Sequence, residues 1–380
     1  MDFAFNEEQE ELRAMAEAFL EEHSGSEQVR QAMASELGYD PEIWKQVGGE
    51  LGWTSVHIPE EYGGLGLGYV ELVALMEKMG GALLCAPFFS SVCLGANALL
   101  SAGSEEQKQE HLPGIAEGTT RATLAWAGPS GRWDASGIEA VAKRDGGDFV
   151  LDGQLAYVLD GHCADLLVVA ARAAGSAGEE GVSLFVVSAD AKGIAPKALP
   201  TVDQTRRLAE VELSGLRVPA SALLAEEGGG WPALSRALDL AAVALSAEQV
   251  GGAQKCLDMA VDYAKERVQF GRPIGSFQAI KHKCADMMVQ VESARSASYY
   301  AGCVVSEENE AELPSVASLA KAYCSDAYFR CAADCLQIHG GVGFTWEYDV
   351  HLHFKRAKST ESFLGDGAHH RELVAQRIGL

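Results

Sequence analysis

The chain has 380 residues, long for one hydrophobic core, and its 48% hydrophobic and 22% charged residues suit a folded globular protein of two or three domains. A formal net charge of −24 makes a field that repels nucleic acid and anionic membrane, so an anionic substrate would need a local basic patch. No apolar run reaches membrane-spanning length, and the N-terminus, MDFAFNEEQEELRAM, is acidic where a secretory signal would be basic and then apolar; the expectation is a cytoplasmic protein without membrane insertion.

Apolar residues recur at helical spacing from the start to about Gly118, as in Leu12, Met15 and Phe19, and again in Leu72, Leu75, Met76 and Met79. The turn PEEYGGLGLG (Pro59–Gly68) ends one helix and lets the next begin. From about Thr119 to Gly230 the pattern predicts strands: FVL (149–151), LLVVA (166–170), VSLFVV (182–187) and AEVEL (209–213), with ARAAGSAGEEG (171–181) as a surface connection. Helical periodicity returns at Trp231, and Val316, Leu319, Tyr323 and Ala327 share one face after Pro314. The expected fold is α+β, with helical residues 1–118, a β-domain at 119–230 and helical residues 231–380.

Nine cysteines without a C-x-x-C pair read as buried thiols, and Cys331 and Cys335, one helical turn apart, have no further ligands at metal spacing. In ERVQFGRPIGSFQAIKH (Glu266–His282), Arg267 ends a helix, Phe270 and Gly271 make a turn, and Gln278 lies on the next helix. An arginine and a glutamine beside a turn suit a phosphate or a nucleobase edge, and equally a solvated helix–turn–helix. QIHGGVGFTWEY (Gln337–Tyr348) gathers Gly340, Gly341 and Gly343, which let backbone amides approach a ligand or simply end a helix.

Together these two stretches closely resemble the acyl-CoA dehydrogenase family, as do Leu51–Gly68, FVLDGQ (Phe149–Gln154) and LRVPASALL (Leu216–Leu224), so that the resemblance spans essentially the whole chain. It implies an N-terminal helical domain, a central β-barrel-like domain and a C-terminal four-helix bundle. It also implies FAD held between subunits of a homo- or hetero-oligomer (dimer or tetramer), an acyl-CoA thioester as substrate and an electron-transfer flavoprotein as acceptor. Carried onto this chain, it makes Arg267, Phe270 and Gln278 contacts to the FAD of a neighbouring subunit, with Gln337, Gly340 and Gly341 completing that site. The family's reaction is α,β-desaturation: a carboxylate takes the α-proton while a hydride leaves the β-carbon for the flavin, the thioester carbonyl being polarised.

This chain departs from the family pattern at the base. A gapless match from Gln337 to Ala375 puts the usual catalytic glutamate on Leu364 and the neighbouring threonine on Asp366. The other position that carries the base in some members is Ala241, beside Ala242 where an arginine is usual. In the β-domain, AGPSGRWD (Ala127–Asp134) keeps little of the family's loop, and Leu159 replaces a threonine that faces the flavin. Two carboxylates are candidate replacement bases. Asp366 is two residues from the family position, though aspartate also caps helices well. Glu248 sits in an Ala/Val/Leu run, about 10 Å along the helix from Ala241, where burial would raise its basicity unless a buried polar partner holds it. Glu361 is a weaker candidate. His369 and His370 point about 100° apart, which does not suit one metal ion, and no metal is expected. Two functions follow: a dehydrogenase with a relocated base, or a base-less subunit that completes a partner's FAD site. Ala241, Ala242, Ala244 and Ala247 suggest room for a bulky, steroid-like acyl group.

Overall fold

The computed structural model describes residues 5–380, so the first four residues of the acidic N-terminal stretch lie outside the described residues. Six helices open the chain: α1 (Glu7–His23), α2 (Ser26–Ala34), α3 (Pro41–Lys45), α4 (Tyr69–Gly81), α5 (Asn97–Ala102) and α6 (Glu105–Ala116). Eight strands follow: β1 (Ala122–Ala125), β2 (Val141–Asp145), β3 (Asp148–Leu159), β4 (Leu166–Ala173), β5 (Val182–Ser188), β6 (Ile194–Ala198), β7 (Leu208–Val218) and β8 (Leu223–Leu224). The C-terminal part contains α7 (Trp231–Glu266), the hairpin β9 (Val268–Gln269) and β10 (Arg272–Pro273), then α8 (Gln278–Ser306), α9 (Leu313–His339), α10 (Val350–Ser362) and α11 (Gly367–Arg377). The helical–β–helical order read from the sequence is the observed one. Among the described residues no helix is long and apolar enough to cross a membrane.

The chain forms two compact units, each discontinuous in sequence. One joins the segment up to Gln31 with Gly68–Leu84 and Ala242–Leu380; the other joins Ala32–Leu67 with Cys85–Ala241. In the first unit, α1 starts from a reciprocal cap in which Asn6 and Gln9 satisfy each other's backbone amides. Its core includes Ala253, Cys256 and Ala260 of α7, Met287 and Val291 of α8, and Tyr328, Cys331 and Cys335 of α9. Helices α4 and α7 cross with their backbones in contact: a Cβ on Gly251 would lie 1.7 Å from the Glu77 carbonyl, and one on Gly80 would lie 2.0 Å from that of Glu248. Only glycine permits that approach.

Two predicted faces shift by one residue. Leu319 is 50% exposed, and the buried stripe of α9 runs instead through Val316, Ala320, Cys324 and Ala327. Met15 is 54% exposed, because Ala16 and Leu20 carry the buried face of α1. In both places a continuous helical spacing admits either phase, and packing chooses.

The second unit is built around an eight-stranded sheet with β6, β7, β3, β2, β4, β5 and β8 in spatial order and β1 paired with β4. The pairs β1–β4 and β2–β4 are parallel, and the others antiparallel. The connection expected at 171–181 begins later, because Ala171 and Arg172 still pair with Ser183 and Val182. Ala170 and Ala171 are both fully buried, so the strand continues through residues whose small side chains fit a two-sided core.

Candidate functional site

Helix α7 ends where Arg267 gives its amide to the Tyr263 carbonyl, and the chain reverses through β9 and β10. Phe270 (φ +53°) and Gly271 (φ +77°) occupy the tip in the left-handed region, as a two-residue hairpin turn requires. Gln278 then opens α8. Helix α9 ends at His339, and Gly340 has φ +63° and ψ −141°, a conformation open only to glycine. Tyr263 stacks on His339 with ring centroids 4.2 Å apart, and Ile274, Ile280 and Ile338 share one core. These contacts bring the Arg267–Gln278 segment and the Gln337–Gly341 turn to the same end of the bundle.

Arg267, Phe270, Gln278, Gln337, Gly340 and Gly341 are all exposed, Phe270 by 91%. Arg267 makes no ion pair among the described residues, and a Cβ on Gly340 or Gly341 would meet nothing within 4 Å. A free guanidinium, two side-chain amides and an uncovered glycine backbone fit the anionic diphosphate and adenine end of FAD.

The turn that carries Leu364 is tightly held. Leu364 is 6% exposed with φ +63°, and its carbonyl accepts a hydrogen bond from His370 Nε2 at 3.0 Å. His370 Nδ1 therefore accepts from the Ser318 hydroxyl, 3.1 Å away, and Ser318 in turn accepts from Arg377. Leucine has no site for a proton, and this one is packed inward. Asp366 caps α11, taking the His369 amide on Oδ1 at 2.8 Å, and that backbone bond holds its carboxyl below the usual range. A carboxylate so stabilised is a weaker base than an ordinary aspartate.

Glu248 is buried, as its setting in α7 suggested, but it is not isolated. Arg356 of α10 donates to its Oε1 at 3.0 Å, and the two are 3% and 2% exposed. The polar-partner reading of Glu248 is thus the one the packing realises. Glu361 pairs with Lys358 at 2.6 Å. Ala241, Ala242, Ala244 and Ala247 are all buried. His369 and His370 stand with rings nearly perpendicular, and among the described residues no group of three or more His, Cys, Asp or Glu is placed to hold a metal.

Two buried cations escaped the sequence reading: Arg356 and Lys321 of α9, which is 0% exposed. Each occupies a position that helical periodicity assigns to the core, between Leu352 and Thr360 on α10 and between Ala317 and Ser325 on α9. A charge in such a position was the available signal.

In the β unit, Leu159 is fully buried and its carbonyl accepts from the Thr123 hydroxyl at 2.7 Å. The neighbouring Tyr157 (φ +57°) is half-exposed and lies 6.2 Å from Trp133, which lies 5.7 Å from Trp126. The Leu159 side chain therefore turns into the core. Seven non-glycine residues adopt positive φ among the described residues; Phe270 and Leu364 lie at positions singled out from the sequence, and Tyr157 and Asp160 flank Leu159. Backbone strain of this kind concentrates where function constrains the chain.

Burial pushes His57 down to about 4, and His353 and His370 down to about 3. Folded pKa values below the unfolded value of 6.5 mean that the unfolded chain binds more protons between these limits. The contribution of these three histidines to stability is therefore full above about pH 6.5 and falls as the pH drops toward 4. A thermal melt series from pH 7 to 4 should show a falling midpoint, and His370→Asn should flatten part of that fall.

Comparison with known proteins gives matches over nearly the full length. Three family models match: acyl-CoA dehydrogenase N-terminal domain over residues 6–119, middle domain over 123–215 and C-terminal domain over 228–379. The chain is 36% identical over 361 residues to the acyl-CoA dehydrogenase IpdE2 of Mycolicibacterium smegmatis, with 95% of each chain covered. It is similar to the solved ChsE4–ChsE5 complex from Mycobacterium tuberculosis, with a TM-score of 0.89 at 29% identity, covering 100% of this chain and 99% of that one. It is also similar to a variant of the Tcur3481–Tcur3483 steroid ACAD, with a TM-score of 0.88 at 29% identity and 98% of each chain covered.

Proposed function

The chain belongs to the acyl-CoA dehydrogenase family of FAD-dependent oxidoreductases, and from that premise we propose that it works as one subunit of a heteromeric acyl-CoA dehydrogenase. In this reading it helps hold FAD, while a partner subunit supplies the catalytic carboxylate. The observation that carries the reading is Leu364: a buried, proton-inert side chain at the base position, with its main chain fixed by His370. The nearby acids are engaged elsewhere, Glu248 with Arg356 and Asp366 with the amide of His369.

Within such an assembly Arg267 neutralises the diphosphate, Gln278 and Gln337 offer amides to the nucleotide, and Gly340 and Gly341 keep the backbone open to it. The chemistry that bound FAD supplies is acceptance of the hydride from the β-carbon. Leu364 contributes an apolar wall rather than a proton acceptor. Small residues along α7 favour a bulky polycyclic acyl group, and the similarity to a steroid ACAD supports that class. The similarity to a complex of two different chains, ChsE4–ChsE5, supports a heteromer. We infer from the family resemblance an electron-transfer flavoprotein as the onward acceptor.

The test uses purified protein, alone and co-expressed with a second family member. Alone, the chain should show no bleaching of flavin colour by an acyl-CoA; co-assembled, it should. In the assembly, Glu248→Gln and Asp366→Asn, normalised to bound flavin, should keep turnover within about two-fold, whereas loss of a true general base would cost about 100- to 10,000-fold. A homo-oligomer that bleaches by itself, or a loss of that size in either variant, would return the base to this chain. Asparagine caps helices as well as aspartate, which keeps the second variant folded.

A further inference from the structure

Lys321 lies wholly inside the helical unit, on the α9 face toward the end of α10. Its Nζ lies 2.8 Å from Ser325 Oγ and 3.1, 3.3 and 3.0 Å from the main-chain carbonyls of Thr360, Glu361 and Gly365, which share its N–H groups. The first two carbonyls belong to the last turn of α10, where helical carbonyls lack intrahelical donors. The third lies beyond that helix, next to Leu364. Gln249 of α7 reinforces the cluster, donating to Ser325 Oγ at 3.0 Å and to the Thr360 carbonyl at 3.1 Å. No carboxylate pairs with the amine at salt-bridge distance among the described residues.

A lone buried lysine is costly to keep, since desolvation disfavours its charge. Here it clasps the backbone on both sides of residues 362–364, tying the end of a helix to the turn after it. The geometry points to Lys321 as a positioning residue: it fixes the main chain of the 363–366 turn, which opens only when the amine leaves its carbonyls. This rests on the proposed function only for the claim that the turn borders the substrate; the clasp itself does not depend on it.

The groups facing the amine allow a selective readout. Burial pushes Lys321 down to about 7 from 10.5, opposed by Cys324 and Asp326 of α9, Glu361 of α10 and Asp366 of the turn. Gln249 and Ser325 are neutral. Cys324 is pushed up to about 12 and His370 of α11 down to about 3, both by burial, so neither titrates between pH 7 and 9. Opening releases the lysine to water, where it regains its proton. Protonation therefore favours the open turn, and protection of the turn should rise with pH by up to about tenfold per unit above 7, with no slope below.

Hydrogen exchange by mass spectrometry on the full-length protein tests this, following the peptide 360–368 from pH 6 to 9 with intrinsic rates divided out. The wild type should show that rise, with the α8 core level over the same range. Lys321→Met should remove the slope and lower the peptide's protection several-fold, leaving α8 unchanged. A level wild-type profile, a slope that survives in the variant, or an equal loss of protection throughout the bundle would overturn the assignment. If the variant does not fold, the wild-type profile decides alone. The readout involves neither flavin nor turnover, so failure of the heteromer reading leaves it intact.

Discussion

Arg356→Leu is expected to lower the stability of the helical unit by about 3–5 kcal/mol, because it leaves the Glu248 carboxylate charged and buried without its guanidinium. The partners are 2% and 3% exposed and 3.0 Å apart, so water cannot replace the lost contact. Glu248→Leu alone should cost a similar amount for the mirror reason. The double replacement should recover most of the loss, since apolar side chains of similar volume substitute well for a buried pair. A double-mutant cycle by denaturant unfolding measures the coupling. Single losses that simply add would show that the two charges are stabilised separately, and Glu248 would again be available for another role. The link lies close to the end of α10, where Gln249, next to Glu248, holds the Thr360 carbonyl. Glu248 thus anchors the helix that leads into the Leu364 turn.

What was legible in the sequence depended on whether the signal was local. Pro273 and Gly271 punctuate the end of α7 so strongly that the hairpin and the start of α8 at Gln278 follow from the residues themselves. The cap by Asp366 was visible as an alternative for the same reason: it needs only the next three residues. Glu248 was different. Its partner lies 108 residues away in sequence, and nothing near Glu248 indicates which helix will pack on it. Lys321 is the same case, since its acceptors are backbone carbonyls, which leave no trace in residue identity. Met15 and Leu319 show a third limit: spacing gives the period of a helix but not its phase against a neighbour. The aromatic contacts of Trp133 with Trp126 and Tyr157 needed a strand register that includes two irregularities between β3 and β7.

Arg267→Ala is expected to weaken FAD binding by the co-assembled enzyme about 10- to 100-fold, the worth of one charge-assisted hydrogen bond of about 1.5–3 kcal/mol. The fold should barely register the change, because Arg267 is exposed and makes no ion pair among the described residues; surface positions of that kind usually move stability by less than about 0.5 kcal/mol. This contrast separates a binding role from a structural one, which the Arg356 experiment cannot do. Arg267→Lys should recover only part of the affinity, since an ammonium keeps the charge but not the planar fork that fits two phosphate oxygens. Flavin retained per assembly after gel filtration, and equilibrium dialysis against FAD, give the two readouts. The informative arrangement puts the substitution in this chain alone, with the partner unaltered. Loss of flavin would then mean that this subunit holds the nucleotide end of a cofactor whose reacting end is served by other residues. That division fits a chain with an exposed guanidinium and open glycines at one end of its bundle and buried leucines at positions 159 and 364. Unchanged flavin content in Arg267→Ala would remove the nucleotide end from this chain as well, and the claim that this subunit helps hold FAD would fall.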